Sequence, residues 1–300
     1  MSARVVVIGN FDGVHRGHQK VIAGARRAAG DGTVIAITFW PHPMSVIRPD
    51  RMPLLLTELD ERKRLLKAAG VDEVVVVGFT DRVASWPPER FVDEVLRPLR
   101  PTMIMVGENF RFGFRASGDV ELLGKLGRDG DGPGFEVEPI PLLLAGDRPD
   151  SSTRVRAAIA EGDVDTASEL LSRPFRVRGV VIQGAQRGRE MGFPTANVPV
   201  PNGLAVPADG VYAGWLTRLD RADAECWPAA ISVGSNPTFV GENRRVESYV
   251  LDRNDLDLYG IEVAVDFEHR LRGQIKYAGM EALIDQMHLD VDQARNLLLG

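Results

Sequence analysis

Three hundred residues exceed what one small core organises, and a formal charge of −6 without a dense Lys/Arg run argues against a nucleic-acid partner. At 44% hydrophobic and 26% charged residues the chain has the balance of a folded globular protein, and its single cysteine, Cys226, excludes an intrachain disulfide and a cysteine-rich zinc site. The first apolar run, residues 5–8, is too short for the hydrophobic region of a signal peptide or for a membrane span, so a cytoplasmic location without a membrane partner is expected.

In chain order, residues 4–9 read as a buried strand, 17–30 as a helix with a glycine stop, and 33–39 as a second β-rich run. Thr57, with Asp60 three residues on, is placed to cap a helix that ends near Gly70. Residues 72–77 and 102–107 are further apolar strands, separated by a helical stretch over 88–96. Strands alternating with helices predict a parallel sheet covered on both faces. Residues 129–134 (DGDGPG) read as a surface turn.

After about residue 173 the rhythm changes. Short β-like runs at 176–182, 211–216, 229–233, 246–251 and 261–267 are separated by Gly, Pro, Asn and Asp clusters, which suits a closed antiparallel barrel. Helical periodicity returns over 280–299. The reading is therefore α/β followed by β, with a boundary near Ser172–Pro174 and domains of 1–172 and 173–300.

The first candidate site begins where the first strand ends, at Gly9-Asn10-Phe11-Asp12-Gly13-Val14-His15-Arg16-Gly17-His18. Ligands of open parallel sheets bind between strand ends and helix starts. His15 and His18 are three apart and share one face of an incipient helix. Gly17 removes a side chain where a base or phosphate approaches, and the free N–H groups of a helix start attract phosphate. A lone histidine is more often an ordinary core or surface residue, and a metal pair lacks a nearby third ligand. Ser151-Ser152-Thr153-Arg154-Val155-Arg156 offers hydroxyl donors at a helix start and an arginine one turn later; alone it would be an ordinary N-cap. Neither G-x-x-x-x-G-K-[ST] nor G-x-G-x-x-G occurs, which argues against a P-loop and a dinucleotide site.

The ten-residue block resembles the HxGH signature of the nucleotidylyltransferase superfamily, in the form carried by bacterial FAD synthetases. Residues 38–43 (TFWPHP), 106–113 (VGENFRFG) and 151–156 (SSTRVR) resemble further segments of that family. The resemblance implies attack of an FMN phosphate oxygen on the α-phosphorus of ATP, with Mg²⁺ sharing the charge. Gly9, Asn10, Phe11, Asp12, Gly17, Ser151, Ser152, Thr153 and Arg156 fall in its ATP and phosphate segments, and Asn109, Phe110 and Arg111 in its flavin segment. His15 and His18 would act on phosphate, Asn10 and Asp12 would shape the pocket, and Arg156 would hold the leaving phosphates. Some relatives carry Asp where Asn109 stands.

The second candidate site lies in residues 176–197 (RVRGVVIQGAQRGREMGFPTAN). Gly184, Gly188 and Gly192 permit close backbone approach, Arg187 and Arg189 suit phosphate, and Thr195 and Asn197 offer hard oxygen ligands two positions apart. As composition this is an ordinary turn, but the ordered string GRxxGFPTAN resembles the riboflavin kinase signature. Residues 209–213 (DGVYA), 231–239 (ISVGSNPTF) and 246–252 (VESYVLD) follow in that family's order, and Glu247 matches its catalytic glutamate. The resemblance implies Gly188, Arg189, Thr195 and Asn197 at ATP, with Thr195 and Asn197 also on Mg²⁺. Ala185 and Arg253 depart from the pattern, where relatives often have Asp and Phe.

The match to bifunctional riboflavin kinase/FAD synthetases covers almost the whole chain. It implies a Rossmann-like adenylyltransferase domain followed by a kinase barrel with a terminal helix, using riboflavin, FMN, FAD and ATP as substrates or products. An adenylyltransferase for another phosphorylated acceptor, such as phosphopantetheine, leaves the PTAN half unexplained. A flavin sensor without turnover would not require the catalytic groups, and a scaffold would require neither polar set. Oligomeric state is left open.

Overall fold

The computed structural model describes residues 2–129, 134–145, 148–184, 188, 191–221, 223–235 and 244–300. Ala185, Arg187, Arg189 and residues 130–133 of the DGDGPG turn lie outside them, as do residues 236–239 of the ISVGSNPTF segment. The chain divides into two compact units, Met1–Ser152 and Thr153–Gly300.

The first unit contains β1 (Arg4–Ile8), α1 (Arg16–Ala29), β2 (Thr33–Trp40), α2 (Leu59–Ala68), β3 (Glu73–Gly78), β4 (Met103–Gly107), α3 (Val120–Asp129) and β5 (Glu136–Ile140). The strands form one parallel sheet in the order β3-β2-β1-β4-β5. Side chains alternate across a strand. Val5 and Val7 of β1 accordingly pack with Ile22 and Ala25 of α1 and Leu65 and Leu66 of α2. Val6 and Ile8 enter the opposite layer with Ile35, Ile37, Leu96 and Leu123. Because β1 is flanked by β2 on one side and β4 on the other, the order reverses at its C-terminal end. A crevice opens at such a point.

Three details differ from the sequence expectation. Thr57 does not cap α2, whose N-cap is Glu58 without a side-chain bond. The Thr57 hydroxyl instead donates to Asp12 Oδ1 at 3.1 Å and accepts from Gly13 N at 3.1 Å. The demand of a buried carboxylate outweighs a local cap. The 88–96 stretch is helical throughout, as expected, but not uniformly α: after Pro88–Phe91 it widens into a π-helix, Val92–Leu96, ahead of Pro98, which has no N–H to donate. Helix α3 and edge strand β5 went unread, the first diluted by Gly124 and Gly127, the second by the exposed residues and proline of its EVEPI sequence.

The second unit opens with α4 (Ser152–Glu161, its first residue the last of the first unit) and α5 (Val164–Leu171), and α5 packs on β6 and β11. Strands β6 (Phe175–Val180), β7 (Thr195–Pro199), β8 (Gly210–Arg218), β9 (Cys226–Ser235), β10 (Arg244–Val250) and β11 (Glu262–Gly273) form a curled antiparallel sheet in the order β6-β11-β8-β9-β10-β7. Among the described residues, one bridge joins the ends of the expected barrel, from Ile182, just past β6, to Asn197 of β7, with Ile182 N donating to Asn197 O at 2.9 Å. The edges pack tightly beside it, since a Cβ on Gly179 would lie 2.7 Å from Val198 Cγ1. Helix α6 (Met280–Leu299) docks on β8, β9 and β11. Arg272 clasps its buried Asp290 with two bonds of 2.8 and 2.6 Å. No helix among the described residues is long and apolar enough to cross a membrane.

Candidate active sites

At the end of β1, Gly9 N still bonds to Ile37 O of β2 at 3.1 Å. The chain then turns through left-handed φ angles at Phe11 (51°), Gly13 (80°) and Val14 (44°). A β-branched residue in that region is strained. Burial of Phe11 and Val14 and a Val14 N to Phe11 O bond of 3.1 Å hold it there. Asp12 points inward, only 1% exposed. Its carboxylate accepts from Leu56 N at 3.0 Å and Thr57 N at 3.0 Å as well as from the Thr57 hydroxyl. Asp12 thus fastens the turn to the segment ahead of α2 and shapes the site from below.

The turn delivers His15 as N-cap of α1, with His18 three residues on. Their rings stack with centroids 3.7 Å apart and planes at 26°, and Phe11 meets His18 edge-on at 5.1 Å. Gly17 makes the stack possible, because a Cβ there would sit 3.0 Å from His15 Cε1. Burial, then the neighbouring His15 and the Arg62 guanidinium, hold the His18 pKa well below the ordinary histidine value. His18 is therefore a neutral imidazole at pH 7, and its Nδ1 is buried without a hydrogen-bond partner among the described residues.

The SSTRVR segment arrives at the same turn. Ser152 Oγ donates to Asp12 O at 2.8 Å, and buried Asp150 accepts from Arg16 Nε at 3.1 Å. Ser151 lies between them, half-buried, while Thr153 and Arg156 continue α4 in the second unit. Beside the β1 end, a cavity of about 770 Å³ is lined by Gly9, Asn10, Phe39, Phe79, Trp86 and the Asn109, Phe110 and Arg111 segment. An apolar, aromatic enclosure with a few polar groups suits a planar heterocycle. His42 of the TFWPHP loop is buried and structural: its Nδ1 accepts from Met44 N at 3.2 Å.

In the second unit, β7 and β10 pair so that Asn197 stands directly opposite Glu247 and Thr195 opposite Tyr249. Opposed residues of an antiparallel pair point to the same face. Asn197 Nδ2 donates to Thr195 O at 3.2 Å and Thr195 Oγ1 at 3.3 Å, a short-range clamp that directs its amide nitrogen toward Thr195. Gly184 makes room for that amide, since a Cβ there would lie 2.7 Å from its Cγ, Nδ2 and Oδ1. Gly188 O accepts from Phe193 N at 2.7 Å and closes the glycine-rich turn just before the strand. Thr195 and Asn197 line a cavity of about 440 Å³ together with Ser248, Leu258 and Tyr259. Arg253, one of the departures, lines the same cavity, pairs with Asp255 at 2.6 and 2.9 Å and lies 5.8 Å from the Trp227 ring centre.

Comparison with known proteins agrees with this division. A family model described as FAD synthetase matches residues 1–154, and one described as riboflavin kinase matches residues 171–298. The bifunctional riboflavin kinase/FMN adenylyltransferase of Escherichia coli K12 is 35% identical over 97% of this chain and 91% of its own length. This chain belongs to the bifunctional riboflavin kinase/FMN adenylyltransferase family. The Bacillus subtilis protein of the same name is 33% identical over 97% of this chain and 91% of its own. A crystal structure described as a macrolide-efflux protein from Streptococcus pneumoniae superimposes with a TM-score of 0.87, at 34% identity over 98% of this chain and 94% of that one.

Within the family's two halves, the least anticipated residue is Arg62. It is fully buried beneath the His15–His18 turn, with Nη2 3.5 Å from Asp12 Oδ1 and 3.2 Å from Thr57 O. Its position one turn before Leu66, on the buried face of α2, was the available signal. The run of charges in residues 60–64 (DERKR) concealed it.

Proposed function

We propose that this chain, a bifunctional enzyme that phosphorylates riboflavin to FMN and adenylylates FMN to FAD with ATP, releasing pyrophosphate, carries the first reaction in residues 173–300 and the second in residues 1–172, with the following division of labour. The observation that carries the reading is the presence of two polar constellations, His15 with His18 and Asn197 with Glu247, on separately folded units.

In the adenylyltransferase, isoalloxazine occupies the 770 Å³ cavity against Asn109, Phe110 and Arg111. An FMN phosphate oxygen attacks the α-phosphorus of ATP, the bond to the β-phosphate oxygen breaks, and pyrophosphate leaves. The nucleophile is already anionic, so the protein supplies position and charge stabilisation rather than a strong base. His15 and His18 donate hydrogen bonds to the reacting phosphate, with neutral His18 offering one N–H. Gly9, Asn10, Phe11, Asp12 and Gly17 shape the backbone around it. Ser151, Ser152, Thr153 and Arg156 receive the leaving phosphates.

In the kinase, Glu247 accepts the proton of the ribityl 5′-hydroxyl as its oxygen attacks the γ-phosphorus and ADP departs. Gly188 and Arg189 serve the ATP phosphates. The hydroxyl of Thr195 and the amide oxygen of Asn197 are hard donors that fit Mg²⁺, in the cradle that Gly184 leaves open. When bound there, Mg²⁺ would screen the phosphate charge and orient the transferred group. The same proposal places the enzyme in the cytoplasm, with its ATP supply.

The test follows flavins by chromatography in purified protein given riboflavin, ATP and Mg²⁺. His15→Ala should still make FMN but no FAD, and Glu247→Ala should make FAD only when FMN is supplied. Loss of both reactions in either folded variant would overturn the independent-site reading.

A further inference from the structure

The buried guanidinium of Arg62 joins three segments that the HxGH pattern does not contain in common. Toward the turn, its Nη2 meets Asp12 Oδ1 at 3.5 Å, both side chains being essentially excluded from solvent. Toward β2, its Nη1 lies 3.4 Å from Thr38 Oγ1 and 3.4 Å from Phe39 O, and its Cζ stands 5.6 Å from the Trp40 ring centre. Toward α2, Nη2 donates to Thr57 O at 3.2 Å. Thr38 in turn donates to Asn10 O at 3.0 Å, so both ends of the Asn10–Asp12 turn answer to the same cation.

We propose that Arg62 is a positioning residue for adenylyl transfer, setting the height of the turn that carries His15 and His18 from beneath. The proposal rests on the reading of those histidines as the phosphate-contacting pair. Several long contacts to one delocalised, planar cation suit this task. Lysine, a compact point charge, cannot reach Asp12, Thr38, Phe39 and Thr57 together. The cation also adds to the field that keeps His18 neutral.

FMN formation by the second unit of the same chain gives an internal control for enzyme concentration, and a urea unfolding curve reports folding of the first. Arg62→Lys and Arg62→Met are compared with wild type and with His15→Ala for both reactions, and the His18 imidazole is titrated by NMR. Positioning predicts that Arg62→Met lowers kcat for FAD formation by about 100-fold, with the KM for FMN within about threefold and FMN production unchanged. Arg62→Lys should recover only part of that loss, and in Arg62→Met the His18 titration should move up toward the ordinary histidine range. Should Arg62→Met unfold the first unit, Arg62→Lys and the His18 titration decide alone. Full FAD synthesis by Arg62→Met, or by Arg62→Lys with an unmoved His18 titration, overturns the proposal while His15→Ala stays inactive. If His15→Ala itself remains active, it is the underlying assignment of the histidines that fails.

Discussion

Replacing Gly17 with alanine should separate stability from catalysis. Gly17 occupies the second position of α1 with an ordinary helical backbone, so alanine meets no torsional objection. Inside a helix, Gly→Ala favours folding by up to about 1 kcal/mol. The new Cβ would nevertheless sit 3.0 Å from His15 Cε1, 3.1 Å from His15 Nδ1 and 3.4 Å from Asp150 O. Reaching ordinary contact requires the His15 ring to retreat by about 0.4 Å, the difference between 3.0 and 3.4 Å, and Asp150 O is already in contact with the new Cβ. The ring is stacked on His18 at 3.7 Å, so it cannot slide without disturbing its partner. Misplacement of about 1 Å costs on the order of 100-fold in rate, and a few tenths of an ångström shared by the two proposed phosphate donors should cost about 10- to 30-fold. The assay is initial-rate FAD formation from FMN, beside FMN formation from riboflavin and a urea unfolding curve. Slower FAD formation with unchanged kinase activity and equal or higher stability is expected. Wild-type FAD formation in Gly17→Ala would refute the claim that glycine is there to admit the stacked imidazole.

Gly184→Ala is the counterpart in the kinase: its Cβ would force the Asn197 amide, 2.7 Å away, out of place. Kinase kcat should fall by at least about tenfold, with a higher Mg²⁺ requirement, while FAD formation from supplied FMN is retained. His18 has a folded-state pKa lowered by burial, His15 and Arg62, so below about pH 6.5 the unfolded chain takes a proton that the folded chain refuses. Stability of the first unit should therefore fall as pH drops from 6.5, and His18→Gln should flatten that slope in urea melts at pH 7.5 and 5.5. Asp290→Asn breaks the paired bonds to Arg272 and leaves a mostly buried cation without its counter-charge. It should cost the second unit about 3 kcal/mol, read by denaturant unfolding, because removing one member of a buried pair exposes the desolvation cost of the other.

Much of both candidate sites was legible because the phosphate recognition proposed for them is built from contiguous backbone. A strand end, a strained turn and a helix start demand glycines and small polar residues at close spacing, which is why residues 9–18 read as a unit. The parallel order of the first sheet followed from apolar strands alternating with helices. Strand β7 was harder: its PTAN start has the composition of a turn, and only pairing with β10 makes it a strand that sets Asn197 against Glu247. That partner lies fifty residues away, where local pattern has no reach.

What the sequence hid are groups whose local character opposes their place in the fold. Arg62 belongs to a run that reads as a solvated helix face, yet Leu65 and Leu66 turn that face into the core and carry the guanidinium with them. Burial is tolerable because Asp12 is already there needing donors, and Asp12 is already inward because the turn at Phe11, Gly13 and Val14 aims it so. Thr57 obeys the same logic when it leaves a helix cap to serve the carboxylate. Each choice is unfavourable alone and favourable only with the others in place. The cluster beneath His15 and His18 is thus a cooperative object, readable from the folded chain and concealed in any one segment of it.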